Sequence, residues 1–318
     1  MRLASQFSSR LEYTWRVATE SIEGRAPFGE FETWYRVVGD LDPGAAGSPA
    51  PLVLLHGGPG ATHDYLLPLT ELASHGRAVI FYDQLGNGKS THLPERGAEF
   101  WTVQLFVDEL ANLLGHLGIE ERYHVLGQSW GGFLAQEHAL TQPPGLRSLV
   151  ISNSAASFPA FVAEANRLRA DLPPEVEATL RRHEAAGTTS DPEYMAACEV
   201  FYHRHLCRLE PWPEGVSYGL AQIDVDPTVY HTMNGPSEFH VIGSIREWSS
   251  ESRLGQIRVP TLMVSGRFDE ATPALQETLV GGIVGSQQVI FENSSHLPFW
   301  EEPDRYLAVI DEWLSAHD

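Results

Sequence analysis

Cysteine is scarce in this chain: two residues, Cys198 and Cys207, among 318. Two cannot build a disulfide framework, and their pattern is not that of a zinc site. They read as packing thiols in a reducing compartment. Basic residues are also few, 21 Lys and Arg against 42 Asp and Glu, for a formal net charge of -21. A surface this acidic repels phosphate backbones and anionic lipid, so neither nucleic acid nor membrane is an expected partner. Most of the excess reads as a solvated face, although an acidic cleft would attract a cationic ligand. Long apolar runs are missing as well. No stretch approaches the ~18 residues needed to span a bilayer, and the opening segment (MRLASQFSSRLEYTWRV) holds no apolar run of signal-peptide length. The expected location is therefore cytoplasmic. Internal repeats and long low-complexity tracts are absent too.

What is present is ample core material: 42% hydrophobic and 20% charged residues. The length exceeds that of a usual single domain, so one large domain or a core with an insertion is expected. Short apolar runs at 52–55, 78–82, 123–126, 146–151, 261–264 and 289–291 are each bounded by Gly, Pro or polar residues. They predict strands buried on both faces. Residues 31–38 predict an edge strand, joined to the first run by a Gly/Pro/Ala loop over 42–51. Helical patterns lie between the runs. Residues 103–117 place Leu105, Phe106, Leu110, Leu113, Leu114 and Leu117 on one side, and 133–140 and 306–314 also read as helices. This alternation predicts an α/β fold with a mostly parallel sheet and helices on both faces. Functional groups then belong at the carboxyl ends of the strands. Residues 155–245 break the rhythm, being rich in Glu, Arg, His and Pro without a strand-like run. They predict a helical cap inserted between core segments 1–154 and 246–318.

Gly127–Gln128–Ser129–Trp130–Gly131 matches G-x-S-x-G between a strand-like and a helix-like segment, the context that motif requires. Small flanking residues let strand and helix approach closely while the turn lifts the serine hydroxyl into a cleft. The helix N-terminus there favours developing negative charge. A serine needs a base to take its proton, and on this scaffold the order is serine, acid, histidine. The run ending Val264–Ser265–Gly266–Arg267–Phe268–Asp269 presents an aspartate after a strand. His296 sits in the loop after the last strand, which singles it out among the 14 histidines. Ser129 as nucleophile, His296 as base and Asp269 as the orienting acid form the candidate triad. Oxyanion donors must already be aimed at the reacting oxygen. The Trp130 amide is one candidate, and the Gly58 amide, in the glycine-rich loop after the strand at 52–55, is the other. No metal or organic cofactor is required, and no cluster of ligands suggests one.

Six segments in order, HGGPG at 56–60, DQLGNGKS at 83–90, GQSWGG at 127–132, MNGPSEF at 233–239, GRFDEATP at 266–273 and SSHLPFWEEP at 294–303, resemble the proline iminopeptidase (prolyl aminopeptidase) family of α/β-hydrolases. The sequence departs from it at Asn87, where the family often has Cys, a position outside the triad. The resemblance implies an α/β-hydrolase fold with an inserted helical cap. It also implies a serine aminopeptidase that releases an N-terminal residue, proline foremost, from peptides through an acyl-enzyme. It further implies two glutamates gripping the substrate's free amine, here Glu238 on the cap and Glu270 beside Asp269. A buried ammonium needs such paired acceptors. Glu199 and Glu210 are weaker candidates for that role. The expected partner is a short peptide or amino-acid amide with a free N-terminal amine. An amino-acid amidase of the prolinamide type uses the same parts, and an esterase of neutral substrates is the broader alternative.

Overall fold

Runs of four to six apolar residues are too short to make helices but long enough to cross a sheet. Here they pair into one. The computed structural model describes residues 20–41 and 48–318, so the opening segment and residues 42–47 of the expected loop lie outside the described residues. Among the described residues the strands are β1 (Ser21–Phe28), β2 (Phe31–Val38), β3 (Leu52–Leu55), β4 (Val79–Tyr82), β5 (Tyr123–Gln128), β6 (Leu146–Ser152), β7 (Thr261–Gly266) and β8 (Gln287–Phe291). The α-helices are α1 (Val103–Leu117), α2 (Trp130–Leu140), α3 (Phe158–Arg169), α4 (Pro174–Ala186), α5 (Pro192–His205), α6 (Glu214–Val225), α7 (Thr228–Met233), α8 (Pro273–Gly282), α9 (Pro298–Glu301) and α10 (Pro303–Ser315). A 3-10 helical segment, His63–His75, precedes β4. None of these helices is long and apolar enough to cross a membrane.

The strand order is β1-β2-β4-β3-β5-β6-β7-β8. The pairs β1–β2 and β2–β4 are antiparallel and the others parallel. The chain leaves β3 for β4 on one side and returns to β5 on the other. In open α/β sheets that reversal marks the crevice where ligands bind. The register levels the carboxyl ends, with Leu55 opposite Gly127, Gln128 opposite Ser152, and Gly266 opposite Phe291. Loops leaving these strands therefore emerge side by side.

Alternate residues of each strand serve opposite faces. Val53, Leu55, Ile80, Tyr82, Val125, Ile151 and Met263 pack with Phe106, Leu110 and Leu113 of α1, Leu134 of α2 and Leu279 of α8. Their neighbours Leu52, Leu54, Val79, Phe81, Leu126, Val150 and Val264 pack with Leu66 and Leu69 of the 3-10 segment and Ile310 and Leu314 of α10. Burial on both faces explains why the strands read as continuous apolar runs rather than alternating ones.

Two expectations are corrected. The run at 289–291 is not buried on both faces: β8 ends the sheet, and most of it is only half-buried. Residues 31–38 are not the edge strand: β1 pairs outside them along its whole length. The segment SIEGRAPF is largely exposed and carries Gly24 and Pro27, residues that weaken a strand signal and are tolerated at an edge.

Between β6 and β7 lie α3 to α7. The two ends of this insertion meet, because Ser157 bridges Ser249 and the Phe158 N–H donates to Trp248 O at 3.0 Å. Leu180 of α4, Tyr194, Cys198 and Phe201 of α5 and Phe239 form a small core of their own. Val216 of α6 and Val229 and Met233 of α7 pack instead into the two main cores. Both cysteines are buried and unbonded. Burial pushes the Cys198 thiol up to about 12 and the Cys207 thiol up to about 11, which leaves them little reactive thiolate.

Packing of α2 on the sheet is close enough to exclude a methyl group. A Cβ at Gly131 would lie 2.0 Å from Leu55 O, and one at Gly127 would lie 2.0 Å from Gly131 O. Gly131→Ala is expected to cost about 3 kcal/mol and to lower Tm by roughly 6–12 °C. Gly115 of α1 is exposed, with open space around an added Cβ, and Gly115→Ala should instead stabilise by about 0.5–1 kcal/mol. Thermal melts of the two variants check both signs.

Candidate active site

Four loops at the level strand ends build one cleft. β5 stops at Gln128, α2 starts at Trp130, and Ser129 turns between them at φ 56° and ψ -122°. An L residue seldom enters that region of backbone space. It is held there by the Ser129 N–H donating to Ser152 O at 3.0 Å and the Gly132 N–H donating to Ser129 O at 2.8 Å. The serine hydroxyl is thus carried at the N-terminus of α2, where the first amides have no intrahelical partner.

The loop after β7 delivers Asp269 and Glu270, and the loop after β8 delivers His296. His296 Nδ1 donates to Asp269 Oδ1 at 2.6 Å. The Ala271 N–H donates to the same oxygen at 2.9 Å, and Asn153 Nδ2 donates to Oδ2 at 2.6 Å. Asp269 is fully buried, and these donors satisfy a carboxylate that water cannot reach. Sequence reasoning missed Asn153. It follows β6 at φ 54°, a left-handed conformation asparagine tolerates. The backbone of the His296 loop is fixed by carboxylates of the terminal segment: the Ser295 N–H donates to Glu301 Oε2 and Ser294 Oγ donates to Glu302 Oε2 at 2.6 Å.

On the opposite wall, the Gly57 amide is occupied: it donates to the Tyr65 hydroxyl at 2.6 Å, and that hydroxyl donates to Gln128 Oε1 at 2.6 Å. Gln128 Nε2 in turn donates to His296 O at 3.2 Å. The next amide, Gly58, borders the cleft beside Ser129 and Trp130. His56 locks this loop from beneath. The Gln84 N–H donates to its Nε2 at 2.9 Å, so Nδ1 carries the proton toward Gly57 O at 2.9 Å. Burial holds its pKa down to about 4. The Gln84 side chain accepts from Trp130 Nε1 at 2.8 Å, which ties the DQLG segment to the serine turn. Asn87 sits below, its amide donating to Leu85 O at 3.2 Å.

The cleft has two halves that meet at Ser129, Gly58 and Glu238. The half containing His296 and Glu270 is walled by Leu206, Val216, Leu220, Ile223 and Leu297. The other is a smaller aromatic recess of Phe133, Phe158 and Phe161 with Ala271. Seven sequence-level candidates therefore converge. Ser129, Gly58, Trp130, Glu238, Glu270 and His296 border the cleft, and Asp269 lies behind His296. Glu199 and Glu210 do not join them: both are exposed in the insertion between β6 and β7, and Glu210 lies beside His203. The aromatic and aliphatic walls had no distinguishing sequence signal, since such residues are ordinary core material.

Glu238 accepts from the Tyr230 hydroxyl, and Glu270 Oε1 lies 3.7 Å from His296 Nε2. Burial holds both glutamates above the usual carboxylate range, and at Glu270 the negative charges of Glu238 and Asp269 add to it. Among the described residues, no Lys or Arg lines either half. Two acidic side chains in one cleft, with the His296 imidazole as their basic neighbour, are suited to a cationic ligand. A metal is a poorer occupant there: Nδ1 of the histidine is taken by Asp269, and the described residues of the cleft do not bring three ligand atoms within 4.8 Å of one another. Elsewhere among the described residues, His183, Asp191 and Glu193 bring three ligand atoms within 4.8 Å of one another. Asp191 is used capping α5, accepting from the Glu193 N–H at 2.9 Å, and Glu193 pairs with Arg182 at 2.7 Å.

Comparison with known proteins agrees with this architecture. Residues 50–303 match the alpha/beta hydrolase fold family. The proline iminopeptidase of Saccharolobus solfataricus is 41% identical over 268 residues, which cover 84% of this chain and 86% of that protein. The crystal structure of a proline iminopeptidase from Mycobacterium smegmatis superposes with a TM-score of 0.86 at 47% identity, covering 93% of this chain and 98% of that one. That of VinJ superposes with a TM-score of 0.90 at 53% identity, covering 93% and 99%. With this sheet, this serine turn and these relatives, the chain belongs to the proline iminopeptidase family of α/β-hydrolases.

Proposed function

We propose that this protein is a serine aminopeptidase that releases an N-terminal residue, proline foremost, from short peptides or amino-acid amides. The observation that carries the reading is the pair of carboxyl groups, Glu238 and Glu270, in the same cleft as Ser129 and His296. The relatives named proline iminopeptidase support it. A neutral-ester hydrolase would gain nothing from two acidic groups kept dry without a cation.

In this mechanism the substrate's ammonium enters between Glu238 and Glu270, placing the first carbonyl one residue away at Ser129. Ser129 Oγ attacks that carbon while His296 Nε2 takes its proton. Asp269 holds the Nδ1–H tautomer and stabilises the imidazolium. The Gly58 and Trp130 amides receive the oxyanion. His296 must protonate the departing nitrogen, so the aliphatic half that it lines takes the leaving group. The aromatic recess takes the side chain of the first residue, and a compact, apolar proline ring suits it. Water, deprotonated by the same histidine, then releases the acyl group. Residues 155–245 serve as the cap that supplies Glu238 and closes the cleft, over core segments 1–154 and 246–318. A cytoplasmic location fits the scarcity of cysteine.

Two measurements test the reading. Ser129→Ala and His296→Ala should each lower kcat by a factor on the order of 10^4–10^6, with little further loss when combined, because the two groups act as one unit. A His296→Ala enzyme with near-normal turnover would remove it as the base. Free-amine aminoacyl arylamides should exceed their N-acetyl twins by about a hundredfold or more in kcat/KM, since acetylation leaves the carboxylates without a cation at a cost of a few kcal/mol. Glu238→Gln and Glu270→Gln should each narrow that ratio. Equal rates on the two substrates would favour an esterase instead.

A further inference from the structure

A general base must present an unprotonated nitrogen to the group it activates. His296 has Nδ1 committed to Asp269, so Nε2 must do this work. Yet the group beside Nε2 is a carboxylate, Glu270 Oε1 at 3.7 Å, with both side chains almost completely buried (3% and 1% exposed). The other oxygen of Glu270 has no hydrogen-bond partner among the described residues. Glu270 is therefore not built into a structural network: its one close partner is the imidazole that the reaction needs.

The surroundings of His296 reinforce this contact. Asp269 and Glu270 face it from the loop after β7, and Glu238 from the segment after α7. Tyr202 of α5 and Tyr230 of α7 stand behind the glutamates as neutral phenols, their ionisation opposed by burial and by those carboxylates. Glu301 of α9 is engaged by Ser295, and no Lys or Arg lines the cleft. His205 of α5, whose main-chain oxygen accepts from the Glu270 N–H, has its Nδ1 on Phe268 O and is held below its usual range by burial, so among the described residues that line the cleft the His296 imidazole is the group able to supply positive charge. Burial opposes the imidazolium, but Asp269, Glu270 and Glu238 outweigh it and push His296 up to about 9. Glu270 is held above the usual carboxylate range at the same time, so without a substrate cation the two buried side chains retain a proton between them, and Nε2 is not free to act as a base.

We infer that Glu270 is a gate on the base, and that the substrate's own ammonium opens it. The inference rests on the amine-binding reading above. The exchange is one cation for another. The ammonium enters beside Glu238 and Glu270 and takes over the charge pairing that the imidazolium supplied. His296 then gives up its Nε2 proton to water, an N–H bond exchanged for an O–H bond, and no other covalent bond changes. The neutral Nε2 next accepts the Ser129 hydroxyl proton as Oγ bonds to the carbonyl carbon. A compound without the amine reaches the same serine but leaves the base protonated. Selectivity for free amines then arises from activation as well as from binding.

The test separates the charge from the acyl group. p-Nitrophenyl acetate is a neutral acyl donor, and methylammonium supplies the missing cation. The rate of the p-nitrophenolate burst at pH 7 should rise saturably with methylammonium chloride, against sodium chloride of equal ionic strength. Acetamide, of similar size and uncharged, should have no effect. A fall of the His296 midpoint from about 9 to its ordinary value near 6.5 corresponds to an acceleration on the order of 10–100-fold at pH 7. The pH midpoint of the burst should move down with it. Glu270→Gln should react faster than wild type without methylammonium, with a lowered midpoint, and should no longer be accelerated. A burst that methylammonium leaves unchanged or slows would overturn the gate, as would equal acceleration in Glu270→Gln. If free-amine arylamides still exceed their acetylated twins in those cases, the gate fails and the amine site stands. If that selectivity is missing too, both fail together.

Discussion

The contact on which the rest of the molecule depends is backbone against backbone, where α2 crosses the ends of β3 and β5. Gly131 sits so near Leu55 O, and Gly127 so near Gly131 O, that no side chain fits at either position. This approach forces the turn at Ser129 into its rare conformation and aims the start of α2 at the cleft. The cost is offset by the two apolar layers that clamp the sheet from both sides. A hydroxyl on a freer loop would lose the fixed relation to the Gly58 amide and the His296 loop that acyl transfer needs.

Around that turn the cleft is a problem in charge. Two buried carboxyl groups, Asp269 and Glu270, a half-buried third, Glu238, and one imidazole meet there. Asp269 is the one with a full set of donors, from Asn153, Ala271 and His296. Glu238 has the Tyr230 hydroxyl, and one oxygen of Glu270 has no partner. The three are therefore not equivalent. One is a finished structural carboxylate, and two are left wanting a cation. That difference separates a residue that orients the base from residues suited to a ligand.

The insertion between β6 and β7 contributes to both roles because it is only partly independent. α4 and α5 have their own core, while α6 and α7 pack into the main ones. Glu238 follows α7 and is thereby fixed relative to the sheet. Leu206, Val216, Leu220 and Ile223 roof the larger half of the cleft. A loosely tethered cap could not hold a carboxylate at a constant distance from the serine.

Much of this was legible in the chain itself. The apolar runs predicted β3 to β7 because burial on both faces leaves a local record, and GQSWGG marked the serine turn because glycine is demanded there by contact. β1 was overlooked because an exposed edge leaves almost no pattern, and Asn153 and Tyr65 because an ordinary asparagine or tyrosine carries no mark of the partner it will meet. Glu238 and Glu270 were singled out only through resemblance to a family. By local chemistry each would read as a surface charge. The sequence by itself determined which segments cross the sheet and where the backbone must turn, since these follow from periodicity and side-chain size. Only the tertiary structure decided that Glu270 faces His296, that Asn153 reaches Asp269 and that two glutamates share a dry cleft, since charge and hydrogen-bond partners come from residues distant in the chain.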